Sequence, residues 1–392
     1  MMDLLVKNAA VILPDSILDN MCVSVKDGRI ASVEAGCEFL PGEYRDVIDA
    51  AGGFLAPGFI DLHIHGLLEY QFDNGREDVQ SICSILPSYG VTGVLAAFLP
   101  RPFGEDTAYV RSISEHTYQG ADVLGFFFEG PFIGISGAIN PAALTEKTVE
   151  RIRALKRASV PYSAVFAVSP ELKNAGELIA AMTEGGIPAF ITHTAADVKQ
   201  TEAAVKAGAG HATHFYDVFP VPKETDPGVR PCGAVEAILA DPGVSVDFIL
   251  DGEHVDPAAV KMALACKGPD RVCLITDASA GAGLPPGVYS GIEGIEVRFA
   301  YEGAPARGTE NSPFPNGLAG SGLTMDKAVR NAVKLLGVDI PLACRMASLN
   351  PAAVLGLANE LGMIRSGYFA SMVLLDRDLQ VKASWVKGVR VF

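Results

Sequence analysis

Eight apolar runs, each followed by a stretch of helical periodicity, constrain this chain more than any other feature. The runs fall at 58–65, 91–98, 122–128, 163–168, 188–192, 209–214, 244–249 and 271–276. The helical stretches behind them span 77–88, 105–118, 145–158, 171–184, 195–207, 232–240, 256–266 and 322–336. A strand that is apolar on both faces is buried on both, and regular alternation with helices makes such strands parallel. Eight units in series predict an α/β fold: a (β/α)8 TIM-like barrel. The rival is an open, doubly wound sheet, which is weakened because no G-x-G-x-x-G follows the first strand.

Both ends of the chain read differently. Short apolar runs at 4–6, 10–13, 21–25 and 30–33 are separated by turns, and Asp27-Gly28 is a hairpin signal. The runs 362–364, 369–375 and 381–389 resemble them. Neither end holds enough apolar surface to fold alone, so residues 1–55 and 356–392 are expected to combine into one small β-sandwich domain beside a barrel of residues 56–355. The Gly- and Pro-rich segment 287–316 reads as a loop laid over the site.

Composition narrows the function. A net charge of −15 argues against nucleic acid or an anionic membrane as partner. The seven cysteines are scattered without a C-x-x-C, which suits reduced thiols in a cytoplasmic protein. Asp3, Lys7 and Asp15 interrupt any opening signal segment, and no apolar run reaches membrane length. A soluble, cytoplasmic protein acting on a small molecule is expected.

The active site of such a barrel lies at the C-terminal ends of its strands. Those ends carry His63 and His65, Glu129, His193, His214, the run Asp251-Gly252-Glu253-His254, and Asp277. In a strand, i and i+2 face the same way, so His63 and His65 project together. Five of the seven histidines fall at strand ends, and imidazoles with a carboxylate suit one or two zinc-like divalent ions. A carboxylate between two ions bridges them, and Asp277, on the last strand, is placed to move a proton. His116, on an outer helix, reads as solvated, and His211, three residues before His214, as structural.

These motifs resemble a known family. Pro57-Gly58-Phe59-Ile60-Asp61 with His63 and His65 is similar to the signature of the amidohydrolase superfamily. Glu129-Gly130-Pro131-Phe132, Thr192-His193, Thr213-His214, Asp251-Gly252-Glu253-His254-Val255, Thr276-Asp277-Ala278 and Leu318-Ala319-Gly320-Ser321 resemble the N-acetylglucosamine-6-phosphate deacetylases within it. The resemblance implies metal-dependent hydrolysis of an amide, most simply N-deacetylation of an amino sugar, by a homodimer. Glu129, His193 and His214 would be the principal metal ligands, and His63 and His65 would complete a second position. Asp277 would be the general acid and base. His254, Tyr216, Asp217, Arg230 and Ala319 are the candidate substrate contacts.

The chain departs from that family pattern at three positions. Ile139 stands where a carbonyl-polarising histidine is expected, Asp217 replaces an asparagine, and Thr225 replaces a phosphate-binding arginine. Arg230 lies five residues further on. The rival readings are a cyclic-amide or lactone hydrolase with the same machinery, and a metal-binding relative that has lost catalysis.

Overall fold

The computed structural model describes residues 2–36, 38–291 and 294–392. Its barrel strands are Phe59–Ile64, Val91–Phe98, Asp122–Phe128, Ser163–Val168, Ala189–Ile191, Ala209–Ala212, Ser245–Ile249 and Val272–Ile275. All neighbours pair in parallel and in chain order, from the first strand to the eighth. The expected runs and the observed strands agree within two residues at every end. Closure between the eighth and first strands uses few bonds. The Asp277 N–H donates to His63 O at 2.8 Å, and the Asp61 carboxylate accepts from the Thr276 N–H at 3.2 Å and hydroxyl at 2.6 Å.

Aromatic rings fill the barrel interior. His63 lies 4.7 Å from Phe127, Phe127 5.4 Å from Phe190, and Phe190 4.4 Å from His211, between ring centroids. Large flat side chains fill a tapering interior with little rotamer entropy to lose. The plug they form supports the residues at the strand ends above it.

The outer helices begin where side chains satisfy free N–H groups. Thr148 accepts from the Arg151 N–H ahead of Val149–Ser159, and Asp197 and Gln200 form a capping box ahead of Val198–Ala207. Arg151 is wholly buried, with its Nε 2.8 Å from Asp106 Oδ2 and further bonds to the carbonyls of Thr145 and Arg101. Removing one partner of such a pair strands the other charge. Arg151→Ala is expected to lower the unfolding free energy by about 3–5 kcal/mol. Urea denaturation checks this, and a loss within the range of an exposed bridge, below about 1 kcal/mol, would refute it.

The two ends of the chain do share a sheet. Its order runs from Val389–Arg390 through Val381–Val386, Met372–Leu375, Phe54–Pro57 and Met2–Ile12 to Ile17–Lys26 and Arg29–Ala35, with Tyr44–Asp49 also paired to Met2–Ile12. Asp27 and Gly28 both take positive φ, 51° and 74°, as the two-residue hairpin turn requires. Trp385, Met372, Val6 and Val23 are buried in its core. Residues 362–364 form no strand.

Three other features differ from expectation. The segment after the eighth strand is an antiparallel sheet of Gly287–Ser290, Glu296–Phe299, Pro305–Gly308 and Leu318–Ser321 instead of a loop. The alternation at 296–299 encodes it, with Val297 and Phe299 buried and Glu296 and Arg298 exposed. Two unanticipated helices, Ile340–Ala347 and Leu349–Val354, follow the eighth unit. Pro341 sits in the first turn of one, where a proline costs no hydrogen bond. Finally, Cys22 is disulfide-bonded, against the expectation of reduced thiols throughout. Spacing along the chain carries no information about which strands the fold sets side by side. No helix among the described residues is long and apolar enough to cross a membrane.

Candidate metal centre

Three strand ends present their functional side chain by the same device. His193, His214 and Asp277 each lie two residues beyond a barrel strand, in the left-handed region at φ 49°, 33° and 46°. That conformation costs a non-glycine residue about 1–3 kcal/mol and persists only where its surroundings enforce it. Ser169 Oγ and the Ile135 N–H hold the His193 carbonyl, at 2.9 and 3.0 Å, and threonines and buried carboxylates surround the other two. Thr192, Thr213 and Thr276, the residues just before, are all buried. Thr192 Oγ1 lies 3.0 Å from His214 Nε2, and Thr213 Oγ1 lies 3.1 Å from His63 Nδ1.

Below them, Asp61 Oδ1 accepts the N–H of His63 at 3.2 Å, and Asp247 Oδ1 accepts the N–H of His214 at 2.5 Å. Burial pushes the Asp61 carboxyl up to about 7 against the hydrogen bonds from Thr276 and His63. His211 points inward, Nε2 to Asp247 Oδ2 at 2.8 Å and Nδ1 to Ser245 Oγ at 2.7 Å, so it braces the carboxylate that holds the His214 backbone. Sequence reading missed Asp247 and the three threonines as supports. Their signal was a polar residue at an inward position of a strand otherwise buried and apolar.

The side chains so presented converge on Glu129. Glu129 Oε2 faces His65 Nε2 at 3.0 Å and His63 Nε2 at 3.6 Å, while Oε1 lies 3.1 Å from both His193 Nε2 and His214 Nε2. Two triads, His63–His65–Glu129 and Glu129–His193–His214, thus share one carboxylate, and the ligand atoms of each lie within 4.8 Å of one another. Asp277 Oδ1 stands 3.5 Å from Nε2 of both His63 and His65, without a hydrogen-bond partner. His193 Nδ1 donates to Ile135 O at 2.9 Å, which turns Nε2 toward the centre. Gly137 packs on that ring at φ 57°, and a Cβ there would meet His193 Cε1 at 2.8 Å.

The electrostatics of this nest call for a cation. Burial alone would raise the Glu129 carboxyl, but the charge of His63 and hydrogen bonds from His193, His214 and His63 hold it well below the usual carboxylate range. Burial alone would lower His65 and His214. Hydrogen bonding to Glu129 and the charges of Glu129 and neighbouring carboxylates raise them instead, to about 9 and about 10. A site that depresses its carboxylate and raises its imidazoles is one where positive charge is favoured, whether protons or a metal ion. Imidazole nitrogens and a carboxylate oxygen are the donors that a borderline divalent ion takes.

The centre floors a cavity of about 280 Å³. Ile139, Asp217 and Val218 line one side, and Phe314 and residues 317–320 of the antiparallel insertion line another. Of the candidate substrate contacts, Asp217 and Ala319 are therefore in the wall. The His254 side chain is buried, Nδ1 bound to Asp251 Oδ2 at 2.6 Å and Nε2 without a partner, and the residue is not among the lining residues. Tyr216 and Arg230 line a separate groove with Phe219 and Met262. Arg230 has 86% of its side chain exposed and pairs with Glu236 at 3.3 Å. Thr225 is exposed, and neither it nor His116 is among the cavity-lining residues.

Comparison with known proteins agrees with this geometry. Residues 54–391 match the amidohydrolase family. The N-acetylgalactosamine-6-phosphate deacetylase of Escherichia coli O157:H7 is 32% identical over 95% of this chain and 94% of its own length. The N-acetylglucosamine-6-phosphate deacetylase of Vibrio furnissii is 32% identical over 94% and 89%. Among solved structures, a variant of the N-acetyl-D-glucosamine-6-phosphate deacetylase of Mycobacterium smegmatis, in complex with N-acetyl-D-glucosamine-6-phosphate, superposes over all of both chains. Its TM-score is 0.87 at 27% identity. The Thermotoga maritima N-acetylglucosamine-6-phosphate deacetylase gives 0.82 at 26%, over 99% of each chain. The resemblance read from the motifs therefore extends over the full length, and the chain belongs to the amidohydrolase family, as a hydrolytic enzyme acting on carbon–nitrogen bonds.

Proposed function

We propose that this enzyme removes the acetyl group from an N-acetylated amino sugar. The observation that carries the reading is Glu129 shared between two histidine pairs, with the unpartnered Asp277 Oδ1 beside it on the floor of the cavity. The names of curated relatives, N-acetylgalactosamine- and N-acetylglucosamine-6-phosphate deacetylases, support the class of amide. Zinc is the metal we assign. His193, His214 and Glu129 would hold one ion, and His63 and His65, with Glu129 between, a second. Such an ion supplies Lewis acidity, toward the proton of a water and toward the amide carbonyl oxygen.

The remaining steps belong to the chain's own side chains. Asp277 Oδ1 accepts the proton of the attacking water and returns it to the amide nitrogen as the carbon–nitrogen bond breaks. Its backbone is held on both sides, by the bond to His63 O and by the Ser321 N–H donating to Asp277 O at 2.8 Å, so the carboxylate keeps its aim while it gains and loses the proton. Ile139, 3% exposed, offers the carbonyl no hydrogen bond and an apolar wall instead. Polarisation of the carbonyl is thereby left to positive charge on the floor. Family resemblance also makes a cytoplasmic homodimer the expected state.

Chelation tests the reading. Stripped enzyme is expected to lose hydrolysis of N-acetyl sugars and to regain it with zinc, in proportion to metal bound. A panel of N-acetyl sugars, N-acyl amino acids, cyclic amides and lactones identifies the bond. Full activity in metal-free protein, or turnover confined to lactones or cyclic amides, would overturn it.

A further inference from the structure

The cavity above the metal centre is acidic beyond what the metal ligands and Asp277 need. Its ionisable lining residues are His65, Glu129, His193, His214, Asp217 and Asp277, and no lysine or arginine is among them. Glu129 and Asp277 are answered by the imidazoles around them and by the cation those imidazoles invite. The Asp217 carboxylate has no hydrogen bond or ion pair among the described residues, and only at longer range does its charge act on His214 and His254. Only its backbone is engaged, the N–H donating to His214 O at 2.9 Å and the carbonyl facing His214 Nδ1 at 3.4 Å. It is half-buried, so solvent screens it only in part.

Two cations of neighbouring segments lie outside the cavity lining. Arg230 is on the surface with Glu236. Arg307, on the insertion that supplies one wall, is bound to Glu253 at 3.1 Å and to Asn316 O at 3.1 Å. A phosphoryl dianion entering a partly desolvated site wants a guanidinium, an ammonium or a nest of N–H groups. Opposite an unpaired carboxylate, in a chain of net charge −15, it meets repulsion instead.

We infer that the substrate is an acylated amine without a phosphate, which presents a hydroxyl or ammonium donor to Asp217. The inference rests on the proposed deacetylation and deepens it by naming the class of substrate. A donor there would complete the carboxylate's unfilled hydrogen-bonding capacity, while Ile139, Val218 and Phe314 pack the apolar face of the same molecule. Selectivity then comes from Asp217 by rejecting anions as much as by attracting donors.

The test compares three substrates on zinc-loaded enzyme: N-acetylglucosamine, N-acetylglucosamine 6-phosphate, and a mono-N-acetylated disaccharide with a free amine. The phosphorylated sugar is expected to have the lowest kcat/KM. Asp217→Asn is expected to raise the ratio of phosphorylated to neutral turnover by about 10- to 100-fold. Preference of the native enzyme for the phosphorylated sugar would overturn the inference, as would an unchanged ratio in the variant. Should no amide on the panel be hydrolysed, the deacetylase reading fails separately. The inference is then decided by calorimetric binding of the same three sugars to Asp277→Asn enzyme. Tighter binding of the unphosphorylated sugars supports it; tighter binding of the phosphate, or no binding of the other two, refutes it.

Discussion

Glu129→Gln is expected to release bound metal and bring turnover down to background. The residue is 5% exposed and its two oxygens face separate histidine pairs, so both proposed metal positions would depend on it. Glutamine keeps the volume, but it removes the negative charge and gives one of the two positions an N–H₂ donor where a ligand oxygen is needed. The four imidazoles would then be left as neutral donors, with no anionic ligand between them to offset the charge of a cation. The check is metal content by elemental analysis after dialysis, set beside circular dichroism to show that the barrel survives. A variant that retains its full complement of metal would remove Glu129 from the ligand set. Loss confined to one of two ions would show that Glu129 serves a single position.

Asp277→Asn is expected to keep fold and metal while turnover falls by about two to four orders of magnitude. Geometry separates its role from that of Glu129. Asp277 Oδ1 lies 3.5 Å from two imidazole nitrogens, beyond hydrogen-bonding contact, and is buried without a hydrogen-bond partner. A buried carboxylate oxygen left without a partner is costly to maintain, and structures that keep one generally use it. Its main-chain bonds to His63 and Ser321 do not involve the side chain, so asparagine should not loosen the closure of the barrel. Pre-steady-state measurement isolates the effect: substrate binding should be nearly unchanged and the chemical step slowed. Turnover within a few-fold of native would demote Asp277 to a structural residue, and loss of metal along with activity would make it a ligand.

Much of the site was readable because its signals are local. His63 and His65 are two apart on one strand, so the period of the pleat puts them together whatever the rest of the chain does. The positions of Glu129, His193, His214 and Asp277 follow once the apolar runs are counted as strands of a closed barrel, since closure brings all the strand ends to one rim. The supports beneath were harder. Asp247 is separated by 33 residues from His214 and reaches it only because adjacent parallel strands set the two side by side. Thr213 reaches His63 across 150 residues.

The insertion illustrates the opposite failure. Its glycines and prolines, read alone, argue for a loop, but 287–290, 296–299, 305–308 and 318–321 pair in an antiparallel ladder that brings Phe314 and Leu318 to the cavity. Hydrogen bonding between strands outweighed weak local propensity there.

The sequence by itself determined the barrel and placed the candidate metal ligands at its strand ends. Periodicity acts within a few residues, and burial of continuous apolar strands admits few architectures. Only the tertiary structure decided that one carboxylate stands between two histidine pairs, and that His193, His214 and Asp277 are aimed by left-handed backbone. It alone put Asp217 in the cavity wall and Arg230 out on the surface. Those outcomes depend on distances between groups remote in the chain, set by barrel closure and by the bracing of buried carboxylates, and no local pattern of residues encodes them.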